Sequence, residues 1–143
     1  MRTMRTMAAM TLAAAWVATI PLVAAQGTLE QAAGFARTGW LTHNAEAVVG
    51  QGNRIVLQIP GADPSAAVSR PQAVALLERY LRPAVERSLE IVTIREVEQG
   101  RGFVELDRRY VIGGTDDVRR ETLFLGFRWQ DQRWVLAELR SAP

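Results

Sequence analysis

Charged side chains interrupt an otherwise apolar stretch between residues 103 and 129. Arg108 and Arg109 follow Leu106, and Glu121 precedes a run of apolar and aromatic residues. An arginine and a glutamate that faced a cavity could orient a bound carboxylate or carbonyl group through charge-assisted hydrogen bonds. The same two residues could instead form an ion pair at the end of a sheet that simply reaches water. The chemistry therefore depends on the sheet face to which each side chain belongs.

Side-chain alternation with period two distinguishes two pairings of the hairpin around the turn GGTDD. Pairing Ile112 with Val118 mixes apolar and polar residues on both faces. Pairing Ile112 with Asp117, across a four-residue loop, gives one mainly apolar face. That face holds Val104, Leu106, Tyr110, Ile112, Leu123, Leu125, Phe127 and Trp129. We predict the second register, which places Arg108 directly opposite Glu121 on the apolar face.

This register defines the candidate ligand-binding residues. Arg108 and Glu121 compensate each other's charge, which would be costly if either were buried alone. Tyr80 and Tyr110 could each donate a hydroxyl hydrogen bond into a cavity, or could equally pack at the edge of the core. The residues that would line a ligand pocket are therefore Tyr80, Arg108, Tyr110 and Glu121.

Catalytic candidates are few. His43 is the chain's only histidine, which excludes a two-histidine metal site, and a capping or packing role suits it better than catalysis. Asp107 would be a plausible general base only if it faced inward, and the predicted register turns it outward. The sequence contains no cysteine, no GxSxG motif and no glycine-rich phosphate loop. We predict no catalytic residue, no metal ligand and no cofactor.

The opposite sheet face is predicted to carry charges together with exposed aromatic rings. Arg109 faces Arg120 there, an unfavourable pair of like charges. Phe103 and Phe124 lie among the charges, as at an interface between protein chains. We expect a homodimer that associates through the face containing Phe103 and Phe124.

The N-terminus is typical of a secretory signal peptide. Arg2 and Arg5 precede a charge-free run that ends in Val-Ala-Ala, so we place the cleavage after Ala25 and the new N-terminus at Gln26. A retained membrane anchor is the alternative interpretation. We therefore expect residues 1–25 to be a signal peptide and the mature protein to be secreted or periplasmic, without stable membrane insertion.

The mature chain would carry no net charge. All 17 basic residues are arginine, and loss of two with the signal peptide leaves 15 against 15 Asp+Glu. An unbroken basic run of the kind that binds phosphate backbones is absent from the sequence. Nucleic acid is therefore not an expected partner.

We interpret the mature chain, residues 26–143, as a single domain. Helix-start sequences divide its first half. Capping boxes at Thr28 and Ser69 begin two helices, and Asn44 caps a short helix between them, Ala45 to Val49. Pro83 marks the end of the last helix.

Helices followed by a four-stranded antiparallel meander indicate an α+β domain. The predicted strands are 54–60, 88–98, 103–112, 118–129 and 133–140. A bulge in the last hairpin would turn either Trp134 and Leu136 or Val135 and Ala137 inward.

The order of these segments resembles the nuclear transport factor 2-like superfamily, especially small exported bacterial proteins of a family of unknown function. The resemblance rests on ARTGWLTHNAEAVV, RIVLQIPG, SRPQAVALLERYL, the stretch 102–129 and RWVLAELR, and it covers residues 28–140. It implies a cone-shaped cystatin-like fold in which N-terminal helices pack on a curved antiparallel sheet. Ketosteroid isomerase and scytalone dehydratase share that superfamily, but their catalytic motifs cannot be matched here residue by residue.

Two functions are consistent with these patterns. The first is an exported non-catalytic domain that binds a small apolar ligand in its cone, self-associates, or does both. The second is a cofactor-free lyase or isomerase in which Tyr110, Arg108 and Glu121 polarise a hydrophobic carbonyl compound. Inward polar groups around an open cavity would favour the enzyme, and a cone filled by side chains would favour the first function.

Overall fold

The computed structural model describes residues 27–143. The predicted signal peptide and the predicted N-terminus at Gln26 lie outside the described residues. Within residues 27–143, none of the helices has the length and apolar character needed to span a membrane.

Three helices lie within residues 27–143, and they begin where the capping sequences predicted. They are α1 (Leu29–Leu41), α2 (Ala45–Val49) and α3 (Arg70–Leu81). Thr28 and Ser69 both form complete capping boxes, in which the side chain accepts from the third helical N–H and a glutamine side chain bonds back to the cap. The side chain of Asn44 accepts from the backbone N–H of Ala47 at the start of α2. These caps satisfy N–H groups that a helix start otherwise leaves unpaired.

The strands form a six-stranded sheet with the order β2-β1-β6-β5-β4-β3. Their bounds are β1 (Arg54–Gln58), β2 (Val68–Ser69), β3 (Ala84–Glu98), β4 (Arg101–Ile112), β5 (Arg119–Gln130) and β6 (Arg133–Ala142). The antiparallel meander of β3 to β6 is confirmed. The expectation of a wholly antiparallel sheet is corrected in one place, because β1 pairs in parallel with β6. That pair joins segments far apart in the chain, so local periodicity does not indicate it.

The helices cover one face of the sheet and bury one apolar core. Leu29 at the start of α1 packs on Gly102, where a Cβ would lie 2.6 Å from the Leu29 Cδ1. Gly39 near the end of α1 allows α2 to approach, since a Cβ there would lie 2.9 Å from the backbone nitrogen of Val48. Arg37 fixes α1 to the sheet by donating from Nε to the Leu89 carbonyl over 2.5 Å. Helix α1 therefore runs along the sheet with its position set at both ends.

Bulges bend two of the strands. In the β5–β6 hairpin the register shifts after Gly126, and both Val135 and Leu136 are buried. The first predicted arrangement of the last strand is correct, because Leu136 lies in the core with Trp134 packed against it, whereas Val135 pairs with the exposed Arg128 and the unpaired residue of the bulge is Ala137. Strand β3 contains three such shifts against β4, between Glu86 and Ser88, Ile91 and Thr93, and Glu96 and Glu98.

Candidate functional site

The predicted register of the central hairpin is confirmed. Arg108 lies opposite Glu121, and Arg109 lies opposite Arg120. Arg108 is 0% exposed and Glu121 is 6% exposed, whereas Arg109 and Arg120 are exposed. The charged pair singled out in the sequence therefore lies within the domain and does not merely reach water at its edge.

Arg108 binds two carboxylates. Its Nη1 donates to Glu121 Oε2 over 3.0 Å. Its Nε donates to Glu86 Oε2 over 3.0 Å, and its Nη2 donates to Glu86 Oε1 over 2.5 Å. The Glu86 contact is bidentate, the geometry in which a planar guanidinium binds a carboxylate most strongly. Burial of the arginine is therefore compensated from two strands, β3 and β5.

Aromatic rings enclose the same guanidinium. The Arg108 Cζ lies 4.9 Å from the ring centroid of Trp40, 5.4 Å from that of Tyr80 and 3.8 Å from that of Tyr110. The Tyr80 hydroxyl donates to Glu121 Oε1 and accepts from Arg108 Nη1 over 3.1 Å. The structure thus brings together all four residues predicted for a pocket. With Glu86 and Trp40 they form the Arg108 cluster: Trp40, Tyr80, Glu86, Arg108, Tyr110 and Glu121.

His43 lies at the margin of the Arg108 cluster. Its Nε2 is 3.5 Å from Glu86 Oε1, and its side chain is about one-third exposed. His43 has a positive φ of 54° in the turn between α1 and α2, where its N–H donates to the Trp40 carbonyl. His43 therefore takes part in the turn between α1 and α2, and its ring lies close to the Glu86 carboxylate.

Burial and charge act together on the titrating groups. Burial favours loss of the Arg108 proton, but the hydrogen bonds and charge of Glu86 outweigh it, and the pKa of Arg108 is raised. Burial and the hydrogen bond to Glu121 raise the pKa of Tyr80. Burial and the charge of Glu121 likewise raise the pKa of Tyr110. At neutral pH the cluster holds a charged arginine and two protonated tyrosines.

Arg108 and Tyr80 are bonded within the Arg108 cluster. Each guanidinium nitrogen of Arg108 donates to a carboxylate, and Tyr80 is bonded to both charged partners. Trp40 Nε1 is a buried donor that has no hydrogen-bond partner among the described residues. The arrangement holds a charged guanidinium in the core, bound to two carboxylates.

A large groove lies elsewhere on the helical side of the sheet, between α1, α2 and the β5–β6 hairpin. This apolar groove has a volume of about 540 Å³, within the usual range for small-molecule sites. Its lining includes none of the four predicted pocket residues. Its apolar wall is formed mainly by Ala32, Phe35, Val48, Phe127, Trp134 and Leu136.

Most polar groups at the rim of the apolar groove are already bonded within the helix caps. The side chains of Thr28 and Gln31 bond to each other's backbone in the α1 cap. Thr42 donates to the Thr38 carbonyl, and Asn44 accepts from the Ala47 N–H. A smaller groove of about 320 Å³ lies beside β1 and β6 and has a more polar lining, which includes Arg54 and Arg128. The apolar groove is therefore the better candidate for an apolar ligand.

The outer sheet face differs from its prediction in one respect. Phe103 and Phe124 lie on that face with ring centroids 5.9 Å apart, but each is half-buried and not freely exposed. The guanidinium of Arg95 lies over Phe103 at 5.8 Å, and that of Arg140 lies over Phe124 at 4.9 Å. Arginine side chains cover part of each ring, because their apolar stems pack on aromatic surfaces.

Comparison with known proteins identifies the fold. No protein-family model matches the sequence, and no curated protein matches it. A ketosteroid isomerase-like protein from Erwinia carotovora superposes with a TM-score of 0.64 at 18% identity, over 80% of this chain and 95% of that one. A DUF4783 family protein from Bacteroides uniformis gives 0.63 at 14% identity, over 76% and 93%.

A third similar structure is an NTF-2 like protein of unknown function from Shewanella oneidensis, with a TM-score of 0.55 at 14% identity, over 80% of this chain and 96% of that one. At such identities the likeness shows the fold alone. The chain has the nuclear transport factor 2-like, cystatin-like α+β fold that the segment order predicted. The similar structures include isomerase-like proteins and proteins of unknown function.

The sequence did not predict two parts of this geometry, the position of Glu86 and the apolar groove. Glu86 was missed because β3 was predicted to begin at residue 88, whereas it begins at Ala84, directly after Pro83. Its alternation with Ser88 is broken by a bulge, so no regular pattern indicated an inward carboxylate. The apolar groove was missed because it is formed by residues from four separate elements.

Proposed function

We propose that the protein is an exported, non-catalytic domain that binds a small apolar molecule in the apolar groove. The observation that carries this proposal is a groove of about 540 Å³ whose wall is built mainly from apolar side chains. Phe35, on the α1 side, is 73% exposed, which is unusual for a phenylalanine and is explained if a ligand covers the ring.

The bonding of Arg108 and Tyr80 to carboxylates supports the non-catalytic part of the proposal. A lyase or isomerase acting on a carbonyl compound would need Tyr80, Tyr110 or Arg108 to reach the substrate oxygen. Arg108 and Tyr80 instead bond to Glu86 and Glu121 in the core. The likeness to a ketosteroid isomerase-like protein concerns the fold, and it adds no acid–base pair to this chain.

Export and self-association are the other parts of the proposal. Export is supported by the charge-free N-terminal run that ends at Ala25. Self-association is supported by Phe103 and Phe124, adjacent half-buried rings on a sheet face that the helices leave uncovered. A homodimer through that face would leave the apolar groove open on the other side of the sheet.

A groove-filling variant with a matched control tests ligand binding. Ala32→Trp on α1 places an indole in the groove, and Ala75→Trp makes the same change at an exposed position of α3. The uncharged dye N-phenyl-1-naphthylamine gains fluorescence when it enters an apolar site. We expect the natural protein and Ala75→Trp to bind the dye equally, and Ala32→Trp to bind at least tenfold more weakly.

Circular dichroism melts would establish that both tryptophan variants are folded. Equal dye binding by Ala32→Trp and the natural protein would place the dye elsewhere and contradict the proposal. Failure of the natural protein to bind any apolar probe would also contradict it. Turnover of a hydrophobic carbonyl compound that Tyr80→Phe abolishes would establish the enzymatic alternative.

A further inference from the structure

We infer that the apolar groove takes a single-chain anionic amphiphile, whose apolar chain lies along α1 and whose acid group binds Arg133. This inference rests on the proposed function and specifies the ligand class for the same groove. It follows from the charges and the free polar groups of the groove lining.

Arg133 is the only charged residue among the described residues that line the groove. It is exposed, and it forms neither an ion pair nor a side-chain hydrogen bond with any residue in 27–143. Its five N–H donors are therefore available in a fork that matches a carboxylate or phosphate group. An anion that also contacts the apolar wall would gain charge-assisted hydrogen bonds from this guanidinium.

The β5–β6 turn fixes the backbone position of this arginine. Gln130 pairs with Arg133, and the two turn residues between them, Asp131 and Gln132, have positive φ values of 49° and 61°. Consecutive positive φ values are the mark of a tight type I′ hairpin turn. Trp134, the next residue, lines the groove and packs edge to face on Trp129 with ring centroids 5.5 Å apart. A cationic head site and the apolar wall are thus adjacent on one rigid hairpin.

The other polar groups favour this class over its competitors. A sugar or other hydroxyl-rich molecule needs many free donors and acceptors, but the side-chain oxygens of Thr28, Gln31, Thr42 and Asn44 are already bonded at the helix ends. A cationic amphiphile needs an acidic partner, and no described lining residue is acidic. The positive end of the α1 dipole lies at the same end of the sheet, where Leu29 packs on Gly102 beside Phe127.

Three probes with the same alkyl chain and different head groups distinguish the contribution of the head group to binding from that of the tail. The whole chain would be expressed and the resulting protein purified. It would then be titrated with dodecanoate, dodecanol or dodecyltrimethylammonium, each below its critical micelle concentration. Tryptophan fluorescence, to which Trp134 in the groove contributes, and calorimetry would report binding. We expect dodecanoate to bind about tenfold more tightly than dodecanol, and dodecyltrimethylammonium to bind most weakly.

Variants of Arg133 test the role of the head site. Arg133→Gln should abolish the preference for dodecanoate and leave dodecanol binding unchanged, while Arg133→Lys should retain part of the preference. Arg120→Gln, an exposed arginine of the outer face, is the control and should behave like the natural protein.

The outcomes distinguish the inference from the proposed function. If dodecanoate and dodecanol bind equally and Arg133→Gln changes neither, the groove does not select an anionic head group. The inference would then be overturned, and an apolar site would remain. Tighter binding of the alkylammonium would overturn it as well. If none of the probes binds and Ala32→Trp changes the mass measured by light scattering, the groove is an interface between two copies, and the proposed function fails too.

Discussion

Arg108 and Glu121 lie directly opposite each other on β4 and β5, with the arginine Nη1 3.0 Å from the glutamate Oε2. Glu86 binds the other side of the same guanidinium from β3. One buried cation thus joins three adjacent strands. Removing a partner from such an arrangement leaves a buried charge without compensation, which costs more than the pair itself contributes.

Glu121→Ala should therefore destabilise the protein much more than Arg109→Ala. We expect the free energy of unfolding to fall by about 3 kcal/mol for Glu121→Ala, because Arg108 and Tyr80 both lose an acceptor in the core. Arg109 is exposed and faces Arg120, so Arg109→Ala should change the free energy of unfolding by no more than about 0.5 kcal/mol, and relief of repulsion could make it stabilising. Urea melts of both variants measure the difference, and equal costs would be incompatible with a buried pair.

Alternation along β4 and β5 was enough to predict this pair. A strand with one buried face allows only one register, and the apolar residues on both strands select the same one. Glu86 could not be predicted in that way, because a bulge separates it from the regular part of β3. The partial burial of Phe103 and Phe124 depends on Arg95 and Arg140, whose side-chain conformations no periodicity reveals.

The groove was beyond local sequence patterns for a different reason. Its walls combine α1 and α2 with the β5–β6 hairpin. In the chain, α2 is separated from β5 by β1, β2, α3, β3 and β4. The helix caps depend on local sequence and were predicted correctly, and the order of elements was predicted correctly except for the two-residue strand β2.

Tyrosine ionisation should be delayed in the folded protein. The chain has two tyrosines, Tyr80 and Tyr110, and the pKa of each is raised above its ordinary value of about 10. The folded state therefore retains protons that the unfolded state loses, so this contribution to stability is complete below about pH 10 and is lost as the pH rises further.

Absorbance at 295 nm, where tyrosinate absorbs, measures this shift. We expect little tyrosinate in the native protein at pH 10, and half-ionisation at that pH in urea. Tyr80→Phe should reduce the loss of stability at alkaline pH. Half-ionised tyrosines in the native protein at pH 10 would contradict the enclosure of Tyr80 beside Glu121.

Phe124→Asp should convert the proposed homodimer into a folded monomer. The new carboxylate would lie at the centre of the outer face, where it could not be buried against a second copy without a large desolvation cost. Light scattering at several concentrations measures the mass. Phe35→Asp on α1 is the control, because it should weaken apolar binding without changing the mass. A natural protein that is monomeric at high concentration would contradict the dimer.

The mature protein should begin at Gln26. We expect N-terminal sequencing of exported material to read from Gln26, because the Val-Ala-Ala sequence supplies the small residues that signal peptidase requires. A protein that retains Met1 and sediments with membranes would show that the N-terminal segment is an anchor.

Strand β3 lies at one end of the sheet, so one of its edges has no partner among the described residues. A straight edge of 15 residues would be a template on which another chain could add a strand. The residues at its three register shifts are Arg87, Val92 and Val97, five positions apart, and Val92 and Val97 are 59% and 50% exposed. Each shift interrupts the row of backbone groups before it is long enough to pair with a foreign strand. The same bulges that bend β3 over the core therefore protect the protein against edge-to-edge aggregation.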